Sequence, residues 1–243
     1  MQHTWYDISV PSQFGKTQGR EQKVGLIIGA SGGLGRSITS ILSNEQFRVI
    51  APSRKELDLL ENDSIDEFSS SFMKAEERLD AVVCSAGINF PAPLQDLSSD
   101  LWNQIQQVNL YSQFQLLKNL WPLLCRSKGR VVAISSLYAQ RSRLGRSAYS
   151  VSKAGLEALV RSLALEGAQH QVLVNAVEPG FIATPLTFQN NDSTAITKLQ
   201  EGIPLGRLGD PDEVAWLVGF LCSERNTYIT GQTIAIDGGM SVE

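Results

Sequence analysis

Short apolar segments recur along the chain, and stretches with a helical spacing of apolar residues separate most of them. Each segment is apolar at consecutive positions, so both faces of an extended strand would be buried. Strands of this kind belong to a parallel sheet that helices cover on both sides. The pattern predicts a doubly wound α/β domain with strands near 24–28, 48–51, 80–84, 130–134, 172–177 and 233–236.

Helix boundaries are marked at two places. A glycine-rich turn follows the first strand directly and leads into a helix predicted from about Leu34 to Asn44. Asp210-Pro-Asp-Glu213 combines an N-cap, a proline at the first helical position and a glutamate three residues after the cap, which predicts a helix to about Ser223. Between 184 and 203, a polar segment with a weak helical pattern follows a strand, and we expect it to form a substrate lid.

Length and composition limit the class of protein. The chain has 243 residues, enough for one sizeable core, so we expect a polar leader at 1–22 and a single domain at 23–243. A formal net charge of -4 leaves no positive surplus for nucleic acid or an anionic membrane. The three cysteines form no CxxC pair and there are two histidines, so we expect no disulfide framework and no metal. Without a long apolar segment, the expected compartment is the cytoplasm.

The glycine-rich turn carries the first candidate chemistry. Gly29, Gly33 and Gly35 lie where the first strand ends and the first helix begins. Free backbone amides and the helix dipole attract a pyrophosphate at such a place. The spacing is GxxxGxG, which differs from the GxGxxG dinucleotide fingerprint. A tight strand-to-helix turn without a ligand is the alternative interpretation.

Tyr149 and Lys153 form the second group of residues with candidate chemistry. Their four-residue interval in a predicted helix places the phenol and the ammonium on one face. A free phenol titrates near ~10, and a lysine ammonium and an oxidised nicotinamide both favour the phenolate. Lowering this pKa by about three units requires roughly 4 kcal/mol. Ser136 follows the strand 130–134 and could hydrogen-bond the same substrate oxygen. Alone, a YxxxK pair is more typical of a solvated helix surface than of an active site.

With Ser136 thirteen residues before Tyr149 and Lys153 four after it, the chain resembles the short-chain dehydrogenase/reductase family in its compact single-domain form. The resemblance runs from about 23 to 240 and is strongest to 3-oxoacyl carrier-protein reductases. It implies one Rossmann-type domain with a mostly parallel sheet of seven strands. Further motifs follow in order at Cys84-Ser-Ala-Gly87, Asn109, Pro179-Gly-Phe-Ile-Ala-Thr184 and Ile236-Asp-Gly-Gly-Met240.

The resemblance also implies a catalytic tetrad. Tyr149 is the expected acid/base, Lys153 lowers its pKa and holds the nicotinamide ribose, Ser136 orients the substrate oxygen and Asn109 anchors a proton-relay water. Cys84-Ser85 replaces the family's paired asparagines, and we interpret Cys84 as a buried core residue. The expected cofactor contacts are Gly29, Ser31, Gly33, Leu34, Gly35, Ser53, Arg54, Asp58, Leu59, Ala86, Gly87, Tyr149, Lys153, Pro179, Ile182 and Thr184.

The end of the second strand bears on the choice of cofactor. Ser53 and Arg54 stand where an acid usually holds a free 2′-hydroxyl, and no carboxylate occurs there in the sequence. Arg54 could pair with a 2′-phosphate or be an exposed loop charge. Gly32, where NADPH-preferring relatives often have a basic residue, counts against the phosphate. We expect NADP(H), with NAD(H) as the alternative. Asp58-Leu59 matches the adenine-contact pair so early that the preceding helix must be missing or reduced.

The expected reaction interconverts a ketone and a secondary alcohol, as in a 3-oxoacyl-reductase-like ketoreductase. Alternatives are a dehydrogenase of a sugar, polyol or sugar acid and a non-catalytic dinucleotide-sensing protein. A sugar-nucleotide epimerase or dehydratase normally has a longer chain with an added substrate domain.

The sequence also bears on three binding partners: other subunits, a carrier protein and an anionic substrate. The resemblance implies a homotetramer through long helices near 98–127 and 148–166 and the C-terminal strand. A carrier protein is disfavoured, because 166–171 lacks the arginine usual in carrier-protein reductases. Arg141, Arg143 and Arg146 are interpreted as solvated, with an anionic substrate as the alternative.

Overall fold

Six parallel strands form one sheet in the computed structural model, which describes residues 22–189 and 191–242. The leader expected at 1–22 therefore lies almost entirely outside the described residues. The strands are paired in the order β2-β1-β3-β4-β5-β6. Their bounds are β1 Val24–Ile28, β2 Arg48–Ile50, β3 Ala81–Cys84, β4 Arg130–Ile134, β5 Leu173–Pro179 and β6 Thr233–Ile236.

Helices cover both faces of this sheet, and the strands divide their side chains between two cores. In β1, Leu26 packs with α2, α4 and α5, whereas its neighbour Ile27 packs with α1 and α8. Both side chains are fully buried, as the continuous apolar runs predict. The doubly wound α/β fold is confirmed. The helices are α1 Gly33–Asn44, α2 Asn62–Ala75, α3 Ser99–Gln106, α4 Ser112–Ser127, α5 Ser147–Ala168, α6 Pro185–Gln189, α7 Ser193–Glu201 and α8 Pro211–Cys222.

The described residues form six strands where the resemblance implies seven. Only residues 51–61 join β2 to α2, and part of this segment is a turn in which the amide of Glu56 donates to the carbonyl oxygen of Ser53 at 3.0 Å. A parallel crossover with its own helix needs about a dozen residues or more. The segment is therefore too short for a helix and a further edge strand, in line with the early position of Asp58.

The predicted helix boundaries match closely. In the capping box of α8, Asp210 accepts from the amide of Asp212 at 2.8 Å, and the Glu213 carboxylate accepts from the amide of Asp210 at 2.7 Å. The segment 184–203 contains α6 and α7, although its function as a lid stays a prediction. None of the helices in the described ranges is long and apolar enough to cross a membrane.

Candidate active site

A cleft of about 780 Å³ opens at the carboxyl ends of the strands. In a doubly wound sheet this edge is where ligands bind. The turn before α1, the segments after β3, β4 and β5, the first turns of α5 and the helices α6 and α7 all contribute to its walls. Of the predicted site residues, the cleft brings together Ser31, Gly33, Leu34, Gly35, Gly87, Ser136, Tyr149, Lys153, Pro179, Ile182 and Thr184.

The glycine turn has the geometry of an anion site. Gly29 has φ +86°, and a β-carbon at Gly35 would lie 2.2 Å from the carbonyl oxygen of Gly29, so this close approach requires glycine. The N-cap of α1 is Gly32, which has no side-chain cap, and the first turn of α1 contains no acidic residue. The first amides of a helix have no intrahelical acceptor. The turn therefore presents free donors and a positive dipole end to the cleft.

Arg36 is a cleft residue that the sequence reasoning missed. It follows Gly35 in the first turn of α1, and its Nε donates to the carbonyl oxygen of Ser31 at 3.1 Å. This contact holds a guanidinium at the glycine turn. Its position directly after the last glycine of GxxxGxG was the available signal.

Lys153 is buried, and α5 aims its ammonium at the end of β4. Nζ donates to the carbonyl oxygen of Ile134 at 2.7 Å and lies 5.7 Å from the centre of the Tyr149 ring. Burial lowers the pKa of Lys153 to about 8, against the opposing influence of Cys84 and Glu157. Lys153 can therefore exchange its proton near physiological pH.

Tyr149 differs from the expectation of a lowered pKa. Burial raises the pKa of this phenol. The Ser136 hydroxyl, through a hydrogen bond, and the Arg146 guanidinium, through its charge, lower the pKa and oppose this effect. The groups that oppose burial do not include Lys153, whose Nζ donates to the carbonyl oxygen of Ile134. The phenol is therefore held protonated, the form that donates a proton.

Asn109 lies in a π-helical segment, Gln107–Tyr111, between α3 and α4, and is fully buried. Its Nδ2 donates to the carbonyl oxygen of Ile88 at 2.9 Å and to Ser152 Oγ at 3.0 Å, and its Oδ1 accepts from the amide of Ile88 at 2.8 Å. A β-carbon at Gly87 would lie 3.4 Å from both Asn109 Oδ1 and Lys153 Nζ. Asn109 thus lies behind Gly87, next to Lys153. Such π-helical segments are frequent at functional sites.

Ser136 begins a short 3-10 turn that follows β4. Its Oγ accepts from the amide of Tyr138 at 3.3 Å. The ring of Tyr138 meets the Tyr149 ring edge-on, with 6.3 Å between centroids. The preceding residue, Ser135, donates a buried hydrogen bond of 2.6 Å to Glu157 of α5. These contacts fix the Ser136 segment against the helix that carries Tyr149.

The cleft does not include Ser53, Arg54, Asp58 or Leu59. Our inference that no carboxylate stands at the end of β2 is wrong. The chain turns back after Ser53, so Glu56 accepts hydrogen bonds from the amide and from the hydroxyl of Ser53, both at 2.8 Å. Arg54 is exposed and donates to Asp58 at 3.3 Å.

Two further predicted contacts lie behind the cleft surface. Leu59 packs against the core, and its carbonyl oxygen accepts from Gln107 at 3.1 Å. Ala86 supports the glycine turn, since a β-carbon at Gly29 would lie 2.6 Å from its amide nitrogen. Cys84 is confirmed as a core residue, because it is fully buried and burial raises its pKa to about 12.

The three arginines after β4 all line the cleft. Arg141 and Arg143 are exposed, as expected. The solvated interpretation is wrong for Arg146, which is half-buried and donates to Asn89 Oδ1 at 2.6 Å. It turns inward because its guanidinium lies 5.9 Å from the centre of the Tyr138 ring, a cation–π contact.

The fold and the cleft define a class. An uncapped glycine turn and a tyrosine-lysine pair at the carboxyl edge of a doubly wound sheet are the arrangement of a nicotinamide-dependent oxidoreductase. Comparison with known families agrees, since the family described as "Enoyl-(Acyl carrier protein) reductase" matches residues 30–241. The chain belongs to the short-chain dehydrogenase/reductase family.

Relatives cover nearly the whole chain. A 3-oxoacyl-(acyl-carrier-protein) reductase FabG of Thermotoga maritima is 34% identical, over 91% of this chain and 99% of its own length. An acetoacetyl-CoA reductase of an Acinetobacter species is 32% identical, over 90% and 98% respectively. Among solved structures, a Pseudomonas aeruginosa RhlG/NADP active-site complex superimposes with a TM-score of 0.84 at 29% identity, covering 90% of this chain and 96% of the other.

Proposed function

We propose that this protein is an NADP(H)-dependent ketoreductase that interconverts a ketone and a secondary alcohol. One observation carries the proposal: the Tyr149 phenol and the buried Lys153 ammonium face the same cleft as the uncapped glycine turn of α1. A proton donor and an anion site on one cleft are what hydride chemistry on a carbonyl needs. The relatives named as 3-oxoacyl and acetoacetyl-CoA reductases support the same reaction type.

The cleft fits a dinucleotide. The close approach at Gly35 and the free amides of α1 suit a pyrophosphate, and Arg36 adds a positive charge at the same turn. When bound, NADPH supplies the hydride for the carbonyl carbon. The NADP in the complex of the Pseudomonas relative, together with Arg36 and Arg54, supports the phosphorylated cofactor, and NAD(H) is the alternative.

Four side chains of the site have distinct roles in the proposed reaction. Tyr149 donates its proton to the carbonyl oxygen, and a phenol that burial keeps protonated is poised for this direction. Ser136 hydrogen-bonds the same oxygen. Lys153, held at Ile134, supplies positive charge beside the phenol and bonds the ribose. Asn109 fixes Ile88 and the segment after β3, next to Lys153.

The substrate belongs to the small carbonyl compounds. A 3-oxoacyl group is supported by the relatives, whereas a sugar, polyol or sugar-acid substrate is the second candidate, favoured by the polar and basic side chains of the cleft. A carrier protein as partner has no specific observation in its favour.

Exposed apolar side chains support a homotetramer. Tyr111 and Phe114 at the start of α4 have ring centroids 6.0 Å apart, and Val151 of α5 is also exposed. Exposed apolar patches of this kind mark interfaces between subunits. Light scattering should give four times the chain mass of 26.6 kDa. We also propose that the protein acts in the cytoplasm.

The test of the function is Tyr149→Phe. It removes the proton donor and should lower ketone reduction by about 1,000-fold, while NADPH still binds. Tyr228→Phe, at a 95% exposed residue, is the matched control and should leave the rate unchanged. Full turnover in Tyr149→Phe would refute Tyr149 as the proton donor, whereas cofactor binding without any ketone reduction by the wild-type protein would favour a dinucleotide-sensing protein.

A further inference from the structure

The cleft has a one-sided charge. Within the described parts of the chain, no aspartate or glutamate lines it, although the whole chain has a net charge of -4. A cleft lined by a single sign of charge concentrates ligands of the opposite sign. Six basic side chains line it, and these are Arg36, Arg141, Arg143, Arg146, Lys153 and Lys198.

The cofactor site accounts for only two of these cations. Arg36 lies at the phosphate turn and Lys153 lies behind the Tyr149 ring. The other four come from the segment after β4 and from α7. Their charge is therefore presented to whatever occupies the rest of the cleft.

Arg146 is the best placed of the four. Its Nη1 donates to Asn89 Oδ1 and its guanidinium makes a cation–π contact with Tyr138, and these two contacts orient the head group. Burial lowers the pKa of Arg146, with a smaller contribution from Arg143. In residues 22–189 and 191–242, no carboxylate lies within salt-bridge distance of Arg146. A half-buried cation without an acidic partner is costly unless an anion joins it.

The distances place this cation beside the reacting group. The Arg146 guanidinium lies 5.9 Å from the centre of the Tyr138 ring. The centres of the Tyr138 and Tyr149 rings are 6.3 Å apart. Arg143 donates to the Tyr138 hydroxyl at 3.3 Å. Tyr138 thus contacts both guanidinium groups and the Tyr149 ring, and the charge of Arg146 opposes the effect of burial on the pKa of Tyr149. An anionic group bound by Arg146 would therefore lie on the same side of the cleft as a carbonyl at Tyr149.

We propose that the substrate is a ketone that carries an anionic group, carboxylate or phosphate, and that Arg146, assisted by Arg143, binds this group while Tyr149 faces the carbonyl. This inference rests on the proposed ketoreductase function. Guanidinium groups bind carboxylates and phosphates through paired hydrogen bonds. The anion can be the carboxylate of a small oxo acid or a phosphate of a phosphopantetheine thioester.

Two pairs of substrates test the inference, each with NADPH at fixed concentration. Acetoacetate is compared with its neutral methyl ester, and acetoacetyl-CoA with the neutral acetoacetyl-N-acetylcysteamine thioester. We expect the anionic member of one pair to have a kcat/KM about 10- to 100-fold higher, the range of charge-assisted hydrogen bonds. A preference in the first pair identifies a small oxo acid, and a preference in the second identifies the phosphates of the thioester.

Variants then assign the preference to Arg146. Arg146→Gln should lower kcat/KM for the preferred anionic substrate by about 10- to 100-fold and for its neutral partner by less than about threefold. Arg146→Lys should recover part of the loss. Arg143→Gln, at an exposed residue, should show a smaller loss of the same kind. Lys74→Gln, at an exposed residue of α2 outside the helices expected in the tetramer contacts, is the control and should change neither rate.

The two proposals fail in different ways. If the wild-type enzyme reduces none of the four ketones, the proposed ketoreductase function is contradicted. If it reduces the neutral members as well as the anionic ones, or if Arg146→Gln and Arg143→Gln lower both members of a pair equally, the ketoreductase stands and the anionic substrate is refuted.

Discussion

Lys153 donates a hydrogen bond of 2.7 Å to the carbonyl oxygen of Ile134. This bond joins the first turns of α5 to the last residue of β4, so the ammonium is fixed at the end of the sheet. It also satisfies part of the hydrogen-bonding capacity of a fully buried cation, which would otherwise be costly. Burial nevertheless lowers the pKa of Lys153 to about 8, so its charge state is sensitive to pH in a range where enzymes work.

The first prediction concerns the pH profile of ketone reduction. Lys153 loses its proton near its pKa of about 8, so kcat/KM should fall as pH rises above this value. In Lys153→Arg, the cation stays charged, because guanidinium groups titrate above about 12. The falling limb of kcat/KM, measured by NADPH absorbance, should move upward by more than one pH unit. An identical limb in both proteins would contradict the assignment to Lys153.

The second prediction concerns stability and Glu178, a buried residue of β5. Burial raises the pKa of Glu178 to about 7, with further contributions from Glu157 and Asp237. Because the folded state favours the protonated carboxyl, stability should decrease as pH rises from about 4.5 to 7. Glu178→Gln should therefore raise the free energy of unfolding at pH 8 by about 2 kcal/mol, and by much less at pH 5. Gln140 still finds an acceptor there.

Urea unfolding at the two pH values measures this difference. Glu166→Gln, on an exposed face of α5, serves as the control and should show no such pH dependence. A Glu178→Gln protein that is destabilised equally at pH 5 and pH 8 would show that the carboxylate is needed for packing.

The third prediction concerns Arg54 and the choice of cofactor. Its guanidinium is exposed and bonded only to Asp58 in the described structure, so it is free to turn towards a 2′-phosphate. Arg54→Ala should raise the KM for NADPH by about tenfold, since a charge-assisted hydrogen bond is lost, and leave the KM for NADH within about twofold. Equal effects on the two cofactors would rule out the phosphate contact.

The fourth prediction concerns Glu56, whose carboxylate occupies the amide and the hydroxyl of Ser53. These hydrogen bonds lower the pKa of Glu56, so it is negative at neutral pH. A 2′-phosphate near Ser53 would meet this charge. Glu56→Gln should lower the KM for NADPH about threefold while the KM for NADH stays the same or rises. An unchanged ratio of the two constants would place the 2′-position elsewhere.

The sequence was sufficient for the fold because the signals are local and repeated. Val24–Ile28 is apolar at every position, and the structure buries each of its residues. The capping box at Asp210 is likewise contained within four residues. Ser136, Tyr149 and Lys153 meet in one cleft because a strand end and a helix start fix their positions. Their catalytic tasks stay predictions.

Side-chain direction was not predictable in the same way. Glu56 reaches Ser53 only because the chain turns back at that point, and no periodic pattern reports such a turn. Arg146 turns inward through Asn89 and Tyr138, which are far apart in sequence from each other. The raised pKa of Tyr149 depends on burial, which is a property of the packed molecule.

The short connection after β2 also determines how the sheet ends. Within residues 22–189 and 191–242, no strand lies beyond β2, so β2 is the outermost strand there and one row of its backbone groups has no partner strand. An edge strand that is long, flat and apolar can pair with a strand of another chain and so promote aggregation. Here the border is three residues long, and Arg48 within it is bonded to Glu76. The edge strand of this shorter sheet is therefore too short and too charged to promote aggregation.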